Sequence, residues 1–339
     1  MRIIELKLTH KVETSAHTLL LPKTTYERVK ADLQTIDSKI TLLPFDHEDM
    51  PSLRTSLTKS LQDPTIIWMS LDLYQEFHPN ILDQVIKNST NLKWVHTAIA
   101  GIEAPVFKSL LTRNVRLTNS DAQASSVADF AIGNVLAHLQ NYSKREQLNR
   151  KKSWQPLPFR DICDTAWLII GYGSIGKEID KRITAFGASI KAVRKEPNNA
   201  DPAYVSPPDR LAQLVPNSDV IVLACSLTDE TKNLVDKNFL KSMKPGSTLV
   251  NIGRGALIVD EDLLAALDNP ETVNYAILDV FREEPLPSHH PYWNHNRVLV
   301  SSHNASFGEG MPHRADQLFL ENLRRFINNE ELLKEVKKS

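Results

Sequence analysis

A short apolar run, Thr165-Ala166-Trp167-Leu168-Ile169-Ile170, ends directly on Gly171-Tyr172-Gly173-Ser174-Ile175-Gly176, and the hydrophobic period then changes. From Ile175 the apolar positions Ile179, Ile183 and Phe186 fall three or four apart, with Lys177, Glu178, Lys181 and Arg182 between them and Gly187 at the end. That order is a buried strand, a glycine turn and an amphipathic helix. Few folds accept it: a parallel sheet must cover the strand, and the helix must return across one face. Each glycine has a physical reason. Gly171 permits the tight turn, Gly173 lets a pyrophosphate approach the backbone, and Gly176 allows the helix to pack closely on the strand. The amides at the helix start, from Ser174 and Ile175 onward, then face the phosphates of a dinucleotide. The six-residue pattern is weak alone and gains its force from the strand before it and the helix after it.

A second strand, Ser189-Ile190-Lys191-Ala192-Val193, delivers Arg194 to its end, 23 positions past Gly171 (194 − 171). A site for NAD carries an acid at about 20 residues from the first glycine, to accept hydrogen bonds from the ribose hydroxyls. Arg194 cannot accept one. With Lys195 beside it, it suits a 2′-phosphate, so NADPH is the favoured cofactor and NADH the alternative, the latter if Glu196 takes the ribose after a shift of register.

The chain has 339 residues, enough for two domains with separate cores. Its formal net charge of −1 argues against nucleic acid as a partner. The basic stretch Lys144-Arg145 to Arg150-Lys151-Lys152 reads as the solvated face of a helix. Two cysteines, Cys163 and Cys225, lie outside any C-x-x-C or Cys/His cluster, so neither a disulfide framework nor a metal site is expected. Cys225 is expected to end the strand Val220–Cys225 as a small buried hydrophobe. No apolar run reaches the roughly 18 residues that span a bilayer, and the charged N-terminus lacks a signal-peptide pattern. The expectation is a cytoplasmic protein that avoids membranes.

The first hundred residues alternate short apolar strands (Ile40–Leu43, Thr65–Met69, Lys93–Thr97, with Val115–Thr118 next) with polar helical segments, which implies a parallel sheet flanked by helices. The first twenty residues read as a hairpin or a frayed edge. A long helix follows Asn119-Ser120-Asp121, with Val127, Phe130, Ala131, Val135 and Leu136 in helical period towards Tyr142. Further strands are expected at Pro245–Asn251, Ala276–Val280 and Val298–Ser301. Another helix begins at Met311 and returns to the first domain.

Four segments carry a resemblance: the glycine turn; Asn251-Ile252-Gly253-Arg254-Gly255; Leu278-Asp279-Val280-Phe281 with Glu284-Pro285-Leu286-Pro287; and Ser302-His303-Asn304. In order and spacing, from about Trp94 to Asn322, they resemble the D-isomer-specific 2-hydroxyacid dehydrogenases. Trp154-Gln155-Pro156-Leu157-Pro158 and Arg194 look more like the glyoxylate/hydroxypyruvate reductase branch. The resemblance implies two doubly wound α/β domains: a flavodoxin-like substrate domain of residues 1–118 and 305–339, discontinuous in sequence, and a Rossmann-type domain of residues 119–304. It implies a cleft between them and a homodimer. Thr97-Ala98-Ile99-Ala100-Gly101-Ile102-Glu103 is similar to the family's substrate loop, with Ala100 and Gly101 as candidates to hold the substrate carboxylate. Asp279 matches the residue that receives the nicotinamide carboxamide. The chain departs from the pattern at Ser302, where proline is usual; at Asn304, where an apolar residue is common; and at Asp129, where Glu is usual.

Reduction of a 2-oxo acid needs a hydride at C2, a proton for the alkoxide, and a cation for the carboxylate and carbonyl oxygens. Arg254 supplies a planar, permanently charged fork between Gly253 and Gly255. His303 follows an apolar strand, at the edge where α/β sites form, and is suited to exchange a proton near neutral pH. Glu284, rather than the adjacent Glu283, is the carboxylate expected to favour the protonated imidazole. His289, His290 and His295 read as solvated turn residues. Trp68, Met69 and Tyr74 are candidates either for the substrate's side chain or for core packing. The leading expectation is an NADPH-dependent reductase of glyoxylate, hydroxypyruvate or a related 2-oxo acid, giving the D-2-hydroxy acid. The alternatives are an NAD-linked dehydrogenase of a bulkier 2-oxo acid and a dinucleotide-sensing, corepressor-like binding module.

Overall fold

The computed structural model describes residues 17–36, 40–46, 63–77, 82–102, 104–269 and 271–337. They fall into two compact units, one drawn from Met1–Ala122 with Glu309–Ser339 and the other from Gln123–Gly308.

The first unit is built on strands β1 (His17–Pro22), β2 (Ile40–Phe45), β3 (Ile66–Met69), β4 (Trp94–Thr97) and β5 (Arg116–Thr118), with helices α1 (Lys23–Gln34), α2 (Leu71–Glu76), α3 (Asp83–Asn88) and α4 (Pro105–Thr112) between them. All pairings are parallel and the strand order is β2-β1-β3-β4-β5, the doubly wound order of flavodoxin-like sheets. β1 corrects an expectation. It is neither a hairpin arm nor an edge; it lies inside the sheet, paired to β2 and β3. Leu19, Leu20 and Leu21 in succession are at most 1% exposed, and three consecutive leucines can all be buried only where both sheet faces are covered. The residues before His17 lie outside the described set. β2 carries Pro44 and sits on the edge, where a missing donor costs no ladder bond.

The second unit begins with α5 (Ala124–Leu139) and α6 (Tyr142–Arg150). α6 buries none of its residues, in keeping with the solvated face read from its lysines and arginines. Then come β6 (Ala166–Ile170), α7 (Ser174–Ala185), β7 (Ser189–Val193), β8 (Val205–Ser206), α8 (Leu211–Leu214), β9 (Val220–Leu223), α9 (Lys237–Ser242), β10 (Thr248–Asn251), α10 (Asp260–Leu267), β11 (Tyr275–Leu278) and β12 (Val298–Val300). The seven strands are parallel in the order β12-β11-β10-β9-β6-β7-β8. The chain steps outward one way from β6 to β8 and the other way from β9 to β12, so the switch point lies between β6 and β9, where α/β sheets open a crevice at their carboxyl ends. β9 stops at Leu223, so Cys225 lies two residues beyond the strand and is half-buried rather than fully buried.

The last helix, α11 (Met311–Ile327), belongs to the first unit. Its Phe319 stacks on Trp68 at 3.8 Å between ring centroids and on Trp94 at 5.3 Å. Trp68 and Met69 are therefore core residues, at 1% and 2% exposure. Tyr74 is half-buried, with its hydroxyl 2.7 Å from Thr97 Oγ1.

Candidate active site

The glycine turn sits at the switch point. Gly171 has φ of +109°, and a β-carbon there would lie 2.4 Å from the backbone nitrogen of Cys225, just beyond β9. Only glycine permits both the conformation and the approach. A β-carbon on Gly176 would meet the carbonyl oxygen of Gly171 at 2.4 Å, so this glycine brings α7 down onto the turn. At Gly173 the same construction meets nothing within 4 Å. The space over the start of α7 is open, and Ser174 and Ile175 occupy the first turn, whose amides lack partners within the helix. The residues present fit a dinucleotide pyrophosphate.

The turn is braced from behind. Tyr172 and Tyr204 both donate their hydroxyls to Asp180 Oδ2 on α7, the second at 2.7 Å, and Thr184 donates to Oδ1 at 2.9 Å. Burial, with Asp180 next to it, pushes both phenols above their ordinary range, so each remains a donor. Arg194 follows β7, half-buried, and its Nη1 lies 3.1 and 3.0 Å from the two carboxylate oxygens of Asp201. Lys195 is exposed and pairs with Glu230 at 2.8 Å.

Arg254 stands three residues past β10. Asn251, wholly buried, shapes its turn: the side-chain amide donates to Arg254 O at 3.0 Å and its oxygen accepts from Gly253 N at 3.1 Å. The guanidinium is half-buried and donates through Nη1 to Gly253 O at 2.8 Å. A β-carbon on Gly255 would fall 1.9 Å from the Phe281 carbonyl carbon. Glycine there lets the Arg254 turn press against the loop that bears Glu284.

Glu284 and His303 meet. His303 Nδ1 lies 2.7 Å from Glu284 Oε2, while Oε1 accepts from the Phe281 amide at 2.9 Å. The carboxylate is thus fixed at both oxygens, and the ring nitrogen left for other work is Nε2. Glu283 has no part in this pair. Arg282, a possible competitor for either acid, instead donates to Ile258 O and Asn233. His303 adopts φ of +51°, a left-handed conformation that few non-glycine residues take. Asp279 holds it there: its carbonyl oxygen accepts from His303 N at 2.8 Å, and its carboxylate, 3% exposed, accepts from Asn304 N at 3.0 Å and Ala305 N at 3.2 Å. Ser301 donates its hydroxyl to Asn304 Oδ1.

Arg254, Glu284 and His303 therefore stand on loops that follow three adjacent strands at the carboxyl edge of one sheet. Ala100 and Gly101 follow β4 in the first unit; the carbonyl of Ala100 accepts from Asn119 Nδ2 at 2.9 Å, and the two amides make no hydrogen bond among the described residues. Glu103 lies outside the described residues. Asp129, at the third departure, pairs with Arg182 at 2.6 Å and ties α5 to α7. Reading the sequence missed Asn251, Asp201 and the second duty of Asp279. A lone polar residue closing an apolar strand was the available signal for Asn251 and Asp279; Asp201 had none. Among the described residues no helix is long and apolar enough to cross a membrane.

Residues 132–305 match the family model described as "D-isomer specific 2-hydroxyacid dehydrogenase, NAD binding domain". The glyoxylate reductase of Thermococcus gammatolerans is 31% identical over 265 residues, 73% of this chain and 77% of that protein. Glyoxylate/hydroxypyruvate reductase A of Serratia proteamaculans is 27% identical over 231 residues, 66% of this chain and 74% of that protein. A D-isomer specific 2-hydroxyacid dehydrogenase family protein of Aeromonas salmonicida superposes with a TM-score of 0.77 at 25% identity, covering 95% of this chain and 99% of that one. A two-sheet parallel fold, a glycine turn at the switch point and a matched model over half the chain agree: this protein belongs to the D-isomer-specific 2-hydroxyacid dehydrogenase family, on the side of its glyoxylate/hydroxypyruvate reductases.

Proposed function

We propose that this protein reduces a small 2-oxo acid, glyoxylate, hydroxypyruvate or a related compound, to the D-2-hydroxy acid with NADPH. The observation that carries the reading is the 2.7 Å contact of His303 Nδ1 with Glu284 on the same sheet edge as Arg254 and the glycine turn. A bound reduced nicotinamide supplies the hydride that goes to C2. His303 gives its Nε2 proton to the oxygen that becomes the hydroxyl, and Glu284 stabilises the ring while it is protonated. Arg254 holds the carboxylate and the carbonyl oxygen, drawing charge onto the latter as it develops. The amides of Ala100 and Gly101, which make no hydrogen bond among the described residues, are assigned to the substrate carboxylate, and Asp279 to the carboxamide of the nicotinamide. Gly171, Gly173, Ser174, Ile175 and Gly176 take the pyrophosphate, with Arg194 and Lys195 on the 2′-phosphate.

We also propose a cytoplasmic homodimer. Tyr142, Trp154 and Phe159 are 61%, 100% and 52% exposed on and after α6, an apolar set that a second copy would cover. Sedimentation velocity on the full chain tests it, and a monomer at all concentrations rejects it.

Initial rates of NADPH and NADH oxidation at matched concentrations, with glyoxylate, hydroxypyruvate and phenylpyruvate as acceptors, test the reaction. Faster turnover with NADPH and a small acceptor supports it. Preference for phenylpyruvate with NADH supports the NAD-linked alternative, and nucleotide binding without turnover on any acceptor supports a sensing role.

A further inference from the structure

Beyond Arg194 itself, one buried acid governs how that guanidinium is presented. Asp201 lies on the loop between β7 and β8, and its side chain is 2% exposed beneath an Arg194 side chain that is 31% exposed. Its carboxylate is not free to wander: Oδ2 accepts from the Asn198 amide at 3.0 Å, and Asp201 N donates to Asn198 O at 3.0 Å. The Asn198 amide, with Arg194 and Lys177 close by, holds its carboxyl below the usual carboxylate range. The loop is locked a second time three residues on, where Tyr204 donates to Asp180 Oδ2 at 2.7 Å. Through Asp180 this lock joins Tyr172 of the glycine turn. Lys177, on the first turns of α7, has its Nζ 3.8 Å from Asp201 Oδ1.

The geometry of the pair is one-sided. Both contacts to Asp201 come from Arg194 Nη1. Nε and Nη2, the edge of the fork that binds an oxyanion with two parallel hydrogen bonds, carry no partner among the described residues. A guanidinium held by one nitrogen against a buried acid has lost its rotamer freedom before any ligand arrives, while its better edge stays open.

We propose that Asp201 is a positioning residue that sets the preference of this protein for a 2′-phosphorylated nicotinamide nucleotide, by anchoring Arg194 through Nη1 and presenting its Nε and Nη2 edge. The inference rests on the reading of Arg194 as the 2′-phosphate site. Lys195 differs from Arg194 in this respect: it is exposed, pairs with an exposed Glu230, and contributes charge without fixed direction.

The test is direct binding of NADPH and of NADH to the full-length protein, followed by quenching of tryptophan fluorescence, for the unaltered chain, Asp201→Asn, Arg194→Ala and the double variant. Asn keeps an oxygen for the Asn198 amide and removes the charge that holds Arg194. The expected result is that Asp201→Asn weakens NADPH about tenfold more than NADH, and that the double variant is no worse than Arg194→Ala alone, since both changes act through one group. A structural loosening would weaken the two nucleotides alike and would overturn the proposal. So would unchanged or tighter NADPH binding by Asp201→Asn while Arg194→Ala still loses it, which makes Asp201 a competing anion and leaves the phosphate site in place. If Arg194→Ala itself leaves the ratio of the two nucleotides unmoved, the phosphate-site reading falls, and the role of Asp201 falls with it.

Discussion

His96 is wholly buried in β4, with Nδ1 2.7 Å from Thr118 Oγ1 and no partner for Nε2 among the described residues. Burial pushes its pKa down to about 3. The ring stays neutral in the folded chain, whereas the unfolded chain takes up a proton near pH 6.5. The folded pKa is thus depressed, so the contribution is complete above about pH 6.5 and is lost as the pH falls towards 3, at up to about 1.4 kcal/mol per pH unit. Denaturant titrations between pH 7 and 4 should show a steeper loss of stability for the unaltered protein than for His96→Phe; parallel curves would refute this. A second expectation concerns Glu284. Glu284→Gln keeps the shape of the contact with His303 Nδ1 and removes the anion beside the ring, so kcat should fall on the order of tenfold or more. An unchanged kcat in the variant would show that the anion plays no part beside the ring. At this scale the sequence was legible in placement: it set Arg254 and His303 just past apolar strands and paired His303 with Glu284, and the structure has them so. It was opaque where a side chain serves main-chain groups, as with Asn251 and Asp279, because their partners are chosen by the folded backbone and leave no pattern of residue types.

Elements were legible through their periods. β6, α7 and β7 lie within a residue of where the apolar run and the helical spacing put them, because a strand leading into a glycine turn has little room to slip. The position of β1 was not legible. A run of leucines says that both faces are covered but not which strands cover its edges, and pairing with β2 and β3 is settled by the whole sheet. Between the loops, contact is governed by small residues. Gly255→Ala places a methyl group 1.9 Å from the Phe281 carbonyl carbon, a backbone clash that must separate the Arg254 turn from the Glu284 loop. We expect a loss of about 3 kcal/mol in stability, with kcat reduced more than nucleotide affinity. Chemical denaturation together with NADPH binding would check it, and wild-type stability would show that the two loops yield without cost.

For the whole molecule, α11 closes the core of a unit whose β3 and β4 lie far back in the sequence: Phe319 stands 251 positions past Trp68 (319 − 68) and 225 past Trp94 (319 − 94). α11 stacks Phe319 on both Trp68 and Trp94, so the first unit stays incomplete until the chain has been made through α11. Phe319→Ala should cost about 3–5 kcal/mol, and the loss should be confined to the first unit. Hydrogen exchange would show β3 and β4 deprotected while β6 and β9, which share the cores of the second unit, keep their protection; equal deprotection of both sheets would argue against separate cores. The family model matches residues 132–305, which lie almost wholly in the second unit and carry the glycine turn and the three loops that bear Arg254, Glu284 and His303.

Asp279 grips the segment after β12 only through peptide N–H groups, those of His303, Asn304 and Ala305. A clasp made on the peptide chain is blind to what the neighbouring side chains are. Serine at position 302, which makes no side-chain bond to this clasp, can therefore be exchanged without unseating the imidazole, and that position is where a library should be aimed if the surroundings of His303 are to change while its backbone stays put.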